Sequence, residues 1–326
     1  MHPFTYTRVS SVREALDAGG SGGRYIAGGT TLVDLMRETV ETPETLVDIS
    51  ALPLSEITAT AGGGIRIGAL VPMAVATADP KLNSLFPVAA QALRGASAQL
   101  RNMATIGGNI MQRTRCTYFR DVTADCNKRE PGSGCAALGG YNRGHAILGG
   151  SDHCVAVHAS DFAVALTALE ATVRLQAPDG KDRSLPFADF LLRPGSTPQR
   201  EQNIRRGELI TAVEIPAYPR PLKSAYLKLR DRQSYSFGLA SAAVALHIRG
   251  GVIREAKVAA GGVATVPWKL PAVEQALIGE RPSDRLWAEA ASHASDGARP
   301  LQHNRFKVEL LKRTVERQLR TVGEME

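Results

Sequence analysis

All four cysteines of this 326-residue chain, Cys116, Cys126, Cys135 and Cys154, fall in one short window, and the rest of the sequence has none. Clustering of that kind asks for a shared partner. The window also carries Gly132, Gly134, Gly139, Gly140, Gly144, Gly149 and Gly150, so its backbone can bend around an object. Whatever the remainder folds into, it must carry this stretch as a loop-rich insertion. The spacing is C-x9-C-x8-C-x18-C. It lacks the paired C-x2-4-C knuckles of structural zinc and the compact C-x2-C-x2-C run of ferredoxins. Widely spaced thiolates on a loop still suit a soft metal centre, either zinc or iron–sulfur. Two disulfides or four unlinked core thiols are the alternatives. Arg113, Arg115, Arg120, Lys128 and Arg129, set against Asp121, Asp125 and Glu130, would offset the negative charge of a thiolate centre.

Around this window the chain reads as a soluble protein of two domains, with 44% hydrophobic and 22% charged residues. No run of eighteen apolar residues predicts a membrane span. The N-terminal MHPFTYTRVSS has neither a basic n-region nor an apolar core, so a cytoplasmic location is the default. Co-export with a signal-bearing partner stays open. A net charge of +7 permits an acidic partner, but aromatics make up only 5% and no basic stripe interleaves with them, so nucleic acid is not expected.

RYIA (24–27) predicts a short buried strand, broken by Gly28-Gly29-Thr30, with a helix over 31–40 capped by Thr30 or Thr31. Further strands are expected at 45–49 and 65–70, and helices across 71–97 around Pro80 and Pro87. A helix and strand are expected across 160–178, a helix and loop across 185–195, and a strand in 208–219. Past Pro221 the texture changes. Three antiparallel strands (224–232, 241–250, 252–263) are predicted, with Arg249-Gly250-Gly251 as a tight turn. Helices follow at 271–279, 284–294 and 303–321. In the last, Phe306, Leu310, Leu311, Val315 and Leu319 share a face that would pack on the small sheet, with Lys307 off it.

IAGGTTLVD (26–34) puts bare backbone at a helix N-terminus, where unpaired N–H groups and the helix dipole favour an anion. It is neither the G-x-G-x-x-G nor the G-x-x-x-x-G-K-[ST] fingerprint. ATIGGN (104–109) is a second such segment, and a large cofactor with a pyrophosphate needs several close approaches. Asp161 opens a predicted helix, as a cap or as an acceptor for sugar hydroxyls. His145, His153 and His158 read as ordinary loop residues. The histidines make no H-x-x-x-H or H-E-x-x-H arrangement, and no triad or general base stands out.

IAGGTTLVDLM, RNMATIGGNI, Ser160-Asp161, GELITAVEIP and AYLKLRDRQSYSFGLASAAVAL occur in that order. With these motifs, from FTYTRVSSVREAL to the last helix, the chain resembles the FAD-binding, medium subunits of the molybdenum hydroxylases, the xanthine dehydrogenase and carbon monoxide dehydrogenase group. The window RTRCTYFRDVTADCNKREPGSGCAALGGYNRGHAILGGSDHC is similar to that of bacterial aldehyde dehydrogenase FAD subunits, which carry an additional [4Fe-4S] cluster on an insertion.

The resemblance implies an α+β fold. A p-cresol methylhydroxylase-type FAD-binding domain would span 1–220, in lobes of about 1–55 and 56–220, with a Cys-rich insertion at about 113–158. A C-terminal α+β domain of the CO dehydrogenase flavoprotein type would span 221–326. Ile26, Ala27, Gly28, Gly29, Thr30, Thr31, Leu32 and Val33 would wrap the FAD pyrophosphate. Ala104, Thr105, Gly107, Gly108 and Asn109, with Gln112 a weaker candidate, would line the same cofactor. Asp161 would bind its ribityl or phosphate-proximal part, Ile210 would pack on the isoalloxazine, and Lys228 would lie near its pyrimidine edge. Cys116, Cys126, Cys135 and Cys154 would ligate the cluster. The implied role is electron transfer, from [2Fe-2S] clusters of a small partner through FAD to an external acceptor. A large molybdopterin-binding partner would oxidise an aldehyde. A stand-alone flavin oxidase of the same fold and a zinc-stapled, partner-binding protein remain the alternatives.

Overall fold

A computed structural model describes residues 1–219 and 222–325. The expected domain boundary at 220/221 lies outside the described residues. The described residues form three sheets, a mixed α/β architecture. The first is parallel and three-stranded, with Thr45–Asp48 between Thr5–Arg8 and Arg24–Ile26. The second has five strands in the order Ile57–Ala59, Ile65–Gly68, Leu209–Ile215, Thr172–Gln176, Asp182–Pro186, all antiparallel. The third is a four-stranded antiparallel sheet of Trp268–Lys269, Val252–Gly261, Ala240–Arg249 and Lys223–Leu229. Gly250 and Gly251 turn its central hairpin with φ of 62° and 72°, left-handed geometry that favours glycine, as the RGG signal implied.

The two buried central strands of the third sheet explain its alanine-rich sequence. Ala240–Arg249 and Val252–Gly261 are covered on both faces, one by the helices Phe306–Gly323 and Pro271–Leu277 and the other by the helix Asp161–Ala168. Small side chains let the helices approach. A Cβ on Gly261 would collide with Val164, so glycine there is a packing requirement.

The helix Phe306–Gly323 packs on this sheet as expected, but its buried face is rotated. Leu311, Val315, Leu319 and Val322 are buried, whereas Phe306 is 39% exposed. Lys307, expected off the face, is fully buried. Its Nζ donates to the carbonyls of Gly144 (2.9 Å), His145 (3.1 Å) and Gly262 (2.7 Å). Three carbonyls satisfy all three ammonium protons, so a residue type that is usually solvated serves here as a buried tie.

Other elements also differ from expectation. The helix predicted over 31–40 is confined to Leu32–Arg37, and Thr31 makes no side-chain capping bond. The strands Thr5–Arg8, Ile57–Ala59 and Asp182–Pro186 were not expected. Each lies at a sheet edge, where half-exposed residues carry little apolar alternation. Among the described residues no helix is long and apolar enough to cross a membrane.

Candidate functional site

The first two sheets, the helices between them and the strand Lys223–Leu229 of the third sheet line a cavity of about 870 Å³. Of the residues expected to touch the cofactor, all but Val33 line it: Ile26, Ala27, Gly28, Gly29, Thr30, Thr31, Leu32, Ala104, Thr105, Gly107, Gly108, Asn109, Gln112, Asp161, Ile210 and Lys228. The size suits a large organic ligand.

The glycines act differently from one another. A Cβ on Gly28 would collide with the carbonyl oxygen of Met103, so this residue lets the two glycine-bearing segments touch. Gly29 has φ of 68° and turns the chain into the helix Leu32–Arg37. Gly107 and Gly108 do not lie in bare loop. They belong to the short helix Ile106–Ile110, capped by Thr105, whose Oγ1 accepts from Gly108 N at 3.2 Å. Among the described residues, the N–H groups of Thr30, Thr31 and Leu32 make no backbone hydrogen bond.

Asp161 is not the cap of its helix. Ser160 takes that role, its Oγ accepting from Ala163 N at 3.0 Å. The Asp161 carboxylate instead pairs with Lys228 Nζ at 2.7 Å and accepts from the Tyr226 hydroxyl at 2.7 Å. Burial, reinforced by Asp161, raises the Tyr226 phenol well above its ordinary value and keeps it a donor. Lys228, only 9% exposed in its side chain, is therefore held in the cavity wall and is not a surface lysine.

Sequence reasoning missed part of the lining. Ser97 and Arg115 line the cavity, and Ser97 Oγ and Arg115 Nε are buried with no hydrogen-bond partner. Tyr235 and Phe237 stand at its mouth, 70% and 53% exposed. Their motif, RDRQSYSFG, lies between strands and carries no period that could have signalled a wall. Two orphaned polar atoms, free N–H groups at one helix start and an apolar remainder fit FAD, whose pyrophosphate and ring edges need such donors. Bound there, the flavin supplies one- and two-electron redox chemistry. The chain's own residues bind it, orient it and shield it.

Beside this cavity, Cys116, Cys126, Cys135 and Cys154 line one small pocket. None is in a disulfide. Among the described residues no group of three or more His, Cys, Asp or Glu is placed to hold a metal ion. The segment has little regular structure and is tied by side chains instead. Asn127 Oδ1 accepts from Gly132 N (3.0 Å) and Gly134 N (2.9 Å). Arg129 donates to the carbonyls of Tyr118 (3.0 Å) and Phe119 (2.8 Å) and also to that of Ala124. Burial pushes the Cys116 thiol up to about 12 and raises Cys154 as well. At such values the thiols stay neutral unless a cation is bound beside them.

His145 is not an ordinary loop residue. Its Nε2 lies 3.1 Å from Cys116 Sγ, its Nδ1 has no partner, and burial, aided by Lys307, pushes the ring down to about 4. His158 Nε2 is also buried and unpartnered, whereas His153 is exposed. The insertion is anchored to the body by Glu201, which takes Arg113 at 2.6 Å and Lys128 at 2.8 Å. Burial pushes its carboxyl up, but Lys128 and Arg113 outweigh that and leave it below the usual range.

Comparison with known proteins gives the family. Residues 2–218 match the FAD binding domain in molybdopterin dehydrogenase, and residues 224–322 match the CO dehydrogenase flavoprotein C-terminal domain. The chain is 45% identical over 320 residues to the aldehyde oxidoreductase FAD-binding subunit PaoB of Escherichia coli, covering 97% of this chain and 96% of that one. It is 30% identical over 310 residues to the glyceraldehyde dehydrogenase medium chain of Sulfolobus acidocaldarius, covering 94% and 92%. Its fold matches the reconstituted CO dehydrogenase from Oligotropha carboxidovorans with a TM-score of 0.77 at 24% identity, covering 99% of both chains. The chain thus belongs to the FAD-binding subunits of the molybdenum hydroxylase, or xanthine dehydrogenase, family of oxidoreductases.

Proposed function

We propose that this chain is the FAD-binding electron-transfer subunit of a molybdopterin-dependent aldehyde oxidoreductase, and that its insertion holds a [4Fe-4S] cluster. The 870 Å³ cavity beside a pocket lined by four thiols carries the reading. Likeness to an aldehyde oxidoreductase FAD-binding subunit over 97% of the chain supports the substrate class. Electrons would arrive from [2Fe-2S] clusters of a small partner and leave to an external acceptor, with the aldehyde oxidised in a large molybdopterin-binding partner. The FAD contacts are those of the lining residues named above, and the cluster ligands are Cys116, Cys126, Cys135 and Cys154. Two domains, 1–220 and 221–326, would carry these roles.

Iron and acid-labile sulfide should each approach about four per chain in anaerobically prepared protein, as a four-cysteine cubane requires. Cys126→Ser should lose most of both while FAD remains measurable. Stoichiometric zinc without sulfide would replace the cluster reading. Aldehyde oxidation should appear only on co-expression with the molybdenum and [2Fe-2S] subunits. Robust turnover by the isolated chain, with no molybdenum detected, would instead promote a stand-alone flavin oxidase.

A further inference from the structure

Arg115 belongs to the cysteine segment by sequence, one residue before Cys116, yet its side chain lines the flavin cavity. Its guanidinium reaches the start of the helix Leu32–Arg37, with Nη1 3.1 Å from Asp34 Oδ2 and Nη2 3.4 Å from Thr31 Oγ1. On another side it lies 5.5 Å from the Phe237 ring centroid at the cavity mouth. Its Nε is buried and has no partner. An unpaired buried N–H on a cation is costly unless something in the site accepts it. The free N–H groups of Thr30, Thr31 and Leu32 lie in the same region, and an anion there would serve all of these donors. Asp34 would repel such an anion, but both Arg115 and Arg120 are paired with it, the latter at 2.7 Å.

We propose that Arg115 donates Nε–H to the pyrophosphate of bound FAD, so that a residue anchored in the cysteine segment helps retain the flavin. This rests on the FAD reading above. It also ties cofactor retention to the order of the segment, because Cys116 is the next residue along the backbone.

The test is titration of deflavinated full-length protein with FAD, ADP and riboflavin, followed by flavin fluorescence and, for ADP, by competition. Arg115→Gln should weaken FAD and ADP alike by roughly 10- to 100-fold, the loss expected of one charge-assisted hydrogen bond. Riboflavin, which has no pyrophosphate, should bind as it does to the wild type. Arg115→Lys keeps the charge without Nε and should recover part of the loss. FAD affinity in Arg115→Gln within about twofold of wild type overturns the proposal. So does an equal loss for riboflavin, which would mark a purely structural role. If Arg115→Gln fails to fold, Arg115→Lys decides alone: unchanged ADP affinity overturns the proposal. Wild-type protein that binds no FAD would sink the cofactor reading itself, which is a separate outcome.

Discussion

Gly28→Val is expected to abolish flavin retention and to destabilise the N-terminal lobe by about 3 kcal/mol or more, because overpacking against backbone cannot be relieved by a rotamer change. The added Cβ meets the Met103 carbonyl, so the strand–turn segment and the Ala98–Met103 helix would be forced apart. The cavity wall would open before any clash with cofactor arose. Gly29→Ala makes the contrast. It strains a backbone held at φ of 68° and should cost only about 1 kcal/mol, leaving a folded protein with weaker flavin binding. Chemical denaturation and flavin absorbance after gel filtration read both effects. Full FAD occupancy in a folded Gly28→Val protein would refute the packing argument.

Lys307→Met is expected to destabilise the protein by about 3 kcal/mol, since it strands three buried carbonyls that the ammonium now serves. The effect should depend on pH. Burial, and then Arg143, push Lys307 down to about 7 from its ordinary 10.5. Between those values the unfolded chain binds a proton that the folded chain lacks, so the wild type gains stability as pH rises through the window. The variant has no such gain. The difference between the two should therefore widen above pH 7, by at most about 1.4 kcal/mol per unit. A difference that stays flat from pH 7 to 9 would show that the carbonyls hold the ammonium charged throughout.

Much of the cofactor cavity could be read locally, because glycine turns before helices announce themselves within ten residues. The cysteine cluster was likewise visible as composition. What stayed hidden depends on partners distant in sequence. Lys307 reads as solvated in its own helix, and only the carbonyls of Gly144, His145 and Gly262 make it a core residue. His145 gains meaning from Cys116, and Asp161 loses its capping role to Ser160 while acquiring Lys228. Arg115 reads as a counter-charge for thiolates, yet its guanidinium enters a cavity built by other segments. A one-dimensional pattern records faces and turns, whereas these assignments are set by which remote element arrives opposite each residue.

The insertion leaves and rejoins the body at one point, where Thr114 Oγ1 donates to the Val157 carbonyl at 3.0 Å. Such a closed neck makes a segment easy to graft or prune, since sheet register outside it need not change. Charge works against that freedom. Glu201 belongs to the body, but one of its two cations, Lys128, sits inside the insertion and the other, Arg113, at its base. A shortened relative would inherit a buried carboxylate with half its neutralisation. The module is separable as a length of chain and inseparable as a charge balance: its loss would leave Glu201 with Arg113 alone and would take away the Gly144 and His145 carbonyls that hold Lys307.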